Sequence, residues 1–319
     1  MSYWTKKLAA ALLLLLTVSM LTFGAMNVLG DPLFNILGPI AGDVENPASV
    51  EKIEAAKAEY NLDDPLPVRW ALWLGAFVTG DFGVQFSEDG QPPVSDLIAE
   101  RLPRTLQLLV MAQVIAAFLA IPWALWSASH ANSKIDRGST VMSFLLIALP
   151  SFALAVMLKW AFSIQTSIFP LAFVANDPFW TRTYQLLLPA ITLALPAAAI
   201  YQRLLRTDLI TTLQEDFILT ARSKGVSRRA ILFKHALRPS LFSFVTIFAI
   251  NTGALLGGAL IVEQIFLIPG LGRAIVEAIL REDFPVVLAI VMLIASAFVI
   301  LNLVVDIIYS LIDPRVRSS

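Results

Sequence analysis

The stretch Asp216-Phe-Ile-Leu-Thr-Ala-Arg-Ser-Lys-Gly-Val-Ser-Arg-Arg-Ala-Ile-Leu-Phe-Lys-His-Ala-Leu-Arg238 is a polar, basic island in an otherwise oily chain. Apolar segments bracket it on both sides, so it sits at a membrane face and projects into water. Thr207 and Asp208 are suited to start a helix, with Ile210, Leu213, Phe217 and Ala221 on one face at helical spacing. Gly225 suits a left-handed helix stop. Ser227 caps a second, shorter helix, and Pro239 is expected to end the element. Arg228 and Arg229 fall in that helix's first turn, where positive charge is unfavourable. An acidic partner or lipid headgroups must offset them. Ordinary attraction of basic residues to anionic lipid accounts for the same pattern; a helical, glycine-hinged loop pressed against a soluble protein is the alternative.

Working outward, 57% of residues are hydrophobic and 15% charged, against about 25% charged in soluble domains. Mean hydropathy is +0.75. These values predict an all-α integral membrane protein. The chain has no cysteine and two histidines, His130 and His235, which argues against disulfides, thiol chemistry and a histidine-rich metal site. No Gly-x-x-x-x-Gly-Lys-Ser/Thr loop is present, so ATP binding by this chain is not expected.

A helical span needs about 20 apolar residues. Leu8–Gly30 exceeds the apolar core of a signal peptide and reads as a retained first span. Leu106–Ser127, Val141–Phe162, Leu186–Gln202, Leu241–Val262 and Val286–Leu311 complete six. Lys6 and Lys7, Lys134 and Arg137, the eight basic residues between Arg203 and Arg238, and Arg315 and Arg317 all fall on one face. By the positive-inside rule that face is cytoplasmic, and both termini lie there. The long loop after the first span is acidic. Within it Ser49–Tyr60 reads as a short helix with Ser49 as its cap. Trp70–Thr79 is apolar but too short to cross, and Trp70 and Trp73 suit a cap lying on the bilayer surface.

Thr220-Ala-Arg-Ser-Lys-Gly225, followed by Lys234-His-Ala-Leu-Arg238, resembles the cytoplasmic coupling loop of bacterial ABC importer permeases in its peptide-permease form. Gly257-Gly-Ala-Leu-Ile-Val-Glu-Gln-Ile-Phe266 and Ile268-Pro-Gly-Leu-Gly-Arg273 resemble the fifth-span end and following loop of dipeptide, oligopeptide and nickel permeases. Asp306-Ile-Ile-Tyr309 and Asp313-Pro-Arg-Val-Arg317 look like that family's closing sequence. Gly30-Asp-Pro32, Leu62-Asp-Asp-Pro-Leu-Pro67 and Gly80-Asp-Phe-Gly83 also fit. The resemblance covers nearly the whole chain and implies the B-type permease, with its long first extracytoplasmic loop.

The resemblance further implies residues 1–30 as N-terminus and first span, 31–104 as an extracytoplasmic cap loop, and 105–319 as a core permease domain with the coupling loop at 203–239. It implies four kinds of partner: a homologous second permease, two ATPases carrying ATP and Mg, an extracytoplasmic peptide-binding protein and membrane lipid. Nucleic acid is not among them, and no cofactor or metal is bound by this chain. The location implied is the bacterial cytoplasmic membrane. Cargo is expected to be dipeptides or short oligopeptides, with nickel or another small solute as the alternative. A self-sufficient ion-coupled transporter would show repeats and several midplane charges, which are not evident.

Asp216, Thr220, Ala221, Arg222, Lys224, Gly225 and Arg228 are the residues expected to engage the ATPase. Glu263, Arg273, Glu277 and Arg281, with Glu282, cluster near the last outer loop; they form a gate or binding-protein contact, or are plain solvated charges. Lys159 either snorkels to the headgroups or lines the pathway. Asn302 and Asp306 are further pathway candidates, and Asp306 is also suited to pair with a coupling-loop arginine. Gly253 and Gly257 have a helix-packing spacing, and Pro189 and Pro196 either kink the fourth span or are tolerated within it as membrane helices routinely tolerate proline.

Overall fold

The computed structural model describes residues 3–29, 32–88 and 90–312. Gly30, Asp31, Asp89 and the closing Asp313–Arg317 motif lie outside them. The regular elements among the described residues are helices. In chain order they are α1 (Tyr3–Leu29), α2 (Pro32–Leu37), α3 (Pro47–Glu59), α4 (Leu66–Thr79), α5 (Val94–Ser129), α6 (Lys134–Ala148), α7 (Ser151–Lys159), α8 (Phe179–Thr212), α9 (Asp216–Ser223), α10 (Arg228–Ala230), α11 (Leu237–Phe266), α12 (Leu271–Leu280) and α13 (Phe284–Ile312). Among the described residues, five helices are long and apolar enough to cross a bilayer, or six if one bent pair counts as a single span.

That bent pair is α6 with α7; it lies over the third span expected at Val141–Phe162 and adds a bend that hydropathy does not reveal. The two helices meet at 100°. Pro150 has no N–H, and its ring forces the preceding residue out of the helical region. Leu149 accordingly sits at φ −75°, ψ 124° and closes α6. Beyond α7 the chain continues as a π-helical turn, Trp160–Gln165. Pro189 and Pro196, by contrast, are absorbed inside α8.

Of the described residues, 104–269 and 301–312 form one compact unit. Its central strut is α8, which packs against α6, α7 and α11. At about 1.5 Å per residue its 34 residues extend roughly 50 Å, well beyond a hydrocarbon core of about 30 Å. Lipid tails are as apolar as leucine, so helices in a bilayer associate through close packing of small residues. α5 supplies these at every fourth position: Ala112, Ala116, Ala120, Ala124 and Ala128 are all buried, together with Ala190, Ala194, Ala197 and Ala198 of α8. On α11 the tight packing against α8 falls at Gly258 rather than at Gly257. A Cβ on Gly257 would meet nothing within 4 Å, whereas one on Gly258 would lie 3.1 Å from Leu193 Cδ2 of α8.

The described residues up to 103, with 270–300, form the other unit. There α4 packs along α1: Trp70 Nε1 donates to the buried Ser19 Oγ at 3.2 Å, and Trp73 lies 5.6 Å from Phe23. The two tryptophans thus fasten α4 to the first span, which sequence reading, in assigning them to the bilayer surface, did not foresee. The α3 cap is also corrected. Asn46 accepts from Ala48 N, while Ser49 donates to Asp43 Oδ2 at 2.8 Å. α12 buries Leu271, Ala274 and Ala278 against Val94, Ile98, Val286, Val287 and Ile290.

Candidate coupling elbow and polar seam

Between α8 and α11 the chain makes an exposed elbow. α8 runs four residues past Asp208 to Thr212. Thr207 and Asp208 therefore lie in its last turns rather than starting a helix. The new helix, α9, begins after Glu215. This changes the apolar face: Ile218 and Ala221 are buried with Ile231, against Leu213 and Val226, while Phe217 is 48% and Leu219 51% exposed. Gly225 takes φ +77°. Val226 N bonds to Ala221 O at 3.2 Å and Gly225 N to Arg222 O at 3.0 Å. This pair of bonds is a Schellman stop, in which the left-handed residue costs a glycine least.

Ser227 caps the next turn, its Oγ accepting from Ala230 N at 3.3 Å. Arg228 turns away from that helix start and donates through Nη2 to Ser129 O at 2.6 Å. Ser129 is the last residue of α5, and a helix C-terminus favours a cation. The charge that seemed misplaced on one helix thus caps another. Ala128, Leu213, Arg222, Arg228 and Leu232 border a cleft of about 560 Å³ there. Pro239 does not end the element: the helical run continues from Arg228 to Phe266. The π-helical turn Ile231–Ala236 precedes it, with Leu237 N bonded to Leu232 O. A wider turn relieves the clash a proline ring makes with the carbonyl four residues back.

Of the assigned elbow residues, Asp216, Thr220, Arg222, Lys224, Gly225 and Arg228 are exposed on this element, and Ala221 is buried beneath it. Thr220 Oγ1 bonds back to Asp216 O at 3.1 Å.

The acidic and basic residues near α12 separate into distinct sites. Arg273 Nε donates to Glu277 Oε1 at 2.7 Å, and Arg101 lies 3.9 Å from Glu277 Oε2. Arg281 pairs with Glu88 at 2.7 Å. Beside them the buried Asp283 accepts from both the backbone N and the Oγ of Ser87, at 2.9 and 2.7 Å. Glu282 takes φ +55° in the same turn. Glu263 belongs to the other unit and is fully buried, accepting from Thr105 Oγ1 at 2.6 Å.

Lys159 donates from Nζ to Ile265 O at 2.6 Å and lies 5.5 Å from the Phe266 ring centroid. It therefore caps the C-terminal end of α11. Asn302 and Asp306 are half-buried on α13, one turn apart.

Sequence reading, which weighed charges, missed a seam of polar side chains joining the long helices. At one end Arg206 of α8 grips Asp136 of α6 with Nε and Nη2, both at 2.5 Å. Ser127 Oγ and Asn132 N donate to the same carboxylate, at 2.7 and 2.9 Å. Next, Ser143 Oγ donates to Gln202 Oε1 at 2.7 Å, and Gln202 Nε2 and Trp123 Nε1 converge on Ser139 Oγ at 3.2 and 2.7 Å. Further along, Tyr201 OH donates to Gln113 Oε1 at 2.7 Å and accepts from Asn251 Nδ2 at 3.1 Å. Gln113 Nε2 reaches Phe248 O at 3.0 Å and Thr252 Oγ1. The available signal was uncharged: Gln113, Tyr201, Gln202 and Asn251 stand in apolar runs, where an unbonded polar group is costly.

Comparison with known proteins places these features in context. Residues 120–318 match the family described as binding-protein-dependent transport system inner membrane component. The chain is 36% identical over 321 residues to the oligopeptide transport system permease protein AppB of Bacillus subtilis, covering 99% of each chain. It is 34% identical over 318 residues to the glutathione transport system permease protein GsiC of Escherichia coli K12, again covering 99% of each.

Proposed function

The chain belongs to the family of binding-protein-dependent transport system inner membrane components, and on that premise we propose that it is one permease subunit of an ATP-driven importer of dipeptides or short oligopeptides. It is a transport subunit and not an enzyme. Its proposed companions are a homologous permease completing the pathway, two ATPases that bind ATP and Mg, and an extracytoplasmic peptide-binding protein. It crosses the inner membrane several times, with both termini and the elbow in the cytoplasm.

The observation that carries this reading is the exposed apolar and basic surface of the elbow. Phe217 and Leu219 stand half in solvent beside the exposed Arg222 and Lys224. Exposed aromatic and aliphatic anchors ringed by cations fit a groove with an acidic rim on a soluble partner. The buried Ile218, Ala221 and Ile231 root that surface in the protein, so a push on α9 is delivered to the helices on either side of it. Closure of the ATPase pair moves the elbow, and the spans follow as a rigid body between two states. Coupling requires that nucleotide and delivered peptide favour different states. The Arg101–Glu277–Arg273 and Glu88–Arg281 pairs are the proposed contact for the binding protein.

The complex reconstituted in vesicles, with binding protein and a dipeptide, tests the assignment. Leu219→Asp and Lys224→Glu are expected to lower peptide-stimulated ATP hydrolysis and uptake about tenfold or more, the scale of one lost anchor. Insertion should be unaffected. Wild-type uptake in both variants would overturn the elbow's role, and uphill uptake by this chain alone would overturn the importer reading.

A further inference from the structure

A cavity of about 390 Å³ lies in the unit containing α1 and α4. Nothing in the transport cycle above uses it. Its size lies in the range of small-molecule sites, which are largely apolar with a few placed polar groups. Phe23 of α1, Trp73 of α4, Phe82 and Phe284 of α13 form an aromatic wall, with Tyr60 and Arg69 supplying polar groups. Two of the walls, α1 and α13, are membrane-crossing helices. α1 carries Leu12, Leu13, Leu21 and Val28 well exposed, so hydrocarbon surrounds it and acyl chains are the most concentrated molecules near the cavity.

Arg69 decides the headgroup. It is half-buried; its backbone N bonds to Pro65 O at 3.2 Å, while its guanidinium makes no hydrogen bond or ion pair among the described residues. Burial lowers its pKa from the ordinary value, while Asp64 acts in the opposite sense through its charge. A guanidinium in that setting is completed by a phosphate, which it can bind through two N–H groups. The exposed Glu59 and Asp81 stand on the same lining and suit a cation beside that phosphate. We propose that this cavity is a phospholipid site, holding one acyl chain along the Phe23–Trp73–Phe284 wall with the phosphodiester of an ammonium-bearing headgroup, such as phosphatidylethanolamine, on Arg69. The lipid pins α4 and the segment before it to the two spans.

Native mass spectrometry of the purified full-length chain, stripped of lipid and titrated, tests this. Phosphatidylethanolamine, phosphatidylglycerol, diacylglycerol of the same chains and a dipeptide are the probes. One phosphatidylethanolamine is expected to bind and to raise the melting midpoint; diacylglycerol is not. Arg69→Gln should weaken retention about tenfold or more, the scale of a lost charge-assisted contact, and Arg69→Lys should weaken it less. Ala76→Trp, which fills the cavity, should abolish binding; should that variant fail to fold, the Arg69 pair alone decides. Equal binding by diacylglycerol, or wild-type retention by Arg69→Gln, would overturn the site. Preference for phosphatidylglycerol would overturn the headgroup assignment, and displacement by the dipeptide would reassign the cavity to cargo.

Discussion

At the scale of single residues, two positions that sequence reading treated as loop charge or hinge have distinct physical duties. Arg206 counted there only toward the basic face, yet it forms a two-pronged pair with Asp136, whose side chain is 5% exposed. Removing one member of such a pair strands the other, a loss of about 3 kcal/mol or more. Arg206→Ala should therefore lower the detergent melting midpoint clearly, and Asp136→Ala should do the same. The double variant should cost less than the two losses summed, because neither charge is then stranded. Gly225 is the residue that sequence reading placed correctly: its φ of +77° disfavours L side chains by about 1–2 kcal/mol. A Cβ there meets nothing within 4 Å, so the penalty is in the backbone alone. Gly225→Asn should retain most transport, whereas the β-branched Gly225→Val should uncouple ATP hydrolysis from uptake in vesicles while the protein still inserts.

At the scale of elements, the helices themselves were legible and their joints were not. Hydropathy located every long helix, because a span's length is set by bilayer thickness. It could not show that Pro150 breaks the third span while Pro189, Pro196 and Pro239 are absorbed, since the same residue type occurs at all four positions. What differs is local accommodation: an extended Leu149 before Pro150, and a π-helical turn before Pro239. The close approach of α8 and α11 at Gly258 gives a test. Gly258→Ala must move Leu193 by a few tenths of an ångström, and Gly258→Leu must part the helices. Overpacking of this kind costs about 1–3 kcal/mol, so the melting midpoint should fall in the order glycine, alanine, leucine. Gly257→Ala, at an open position, should leave it unchanged.

At the scale of the whole molecule, orientation is the property with the sharpest check. The chain has no cysteine, so single cysteines report without background. Glu54→Cys on α3 should react with an impermeant maleimide on intact cells, and Ser223→Cys on α9 only in inverted vesicles. The reverse pattern would refute the proposed topology. Composition and the spacing of apolar runs determined by themselves that this is a helical membrane protein, and the motif from Thr220 to Gly225 marked its elbow. These are local properties: oil per residue, charge per loop, a glycine at a left-handed turn. Only the tertiary structure decided that Arg228 caps α5, that Lys159 caps α11, that Glu263 is interior, and that Gln113, Tyr201 and Asn251 meet. Each of those facts joins residues distant in sequence, and a polar side chain among apolar neighbours does not announce its partner. Partner choice is fixed by where the packed helices bring donors and acceptors within reach.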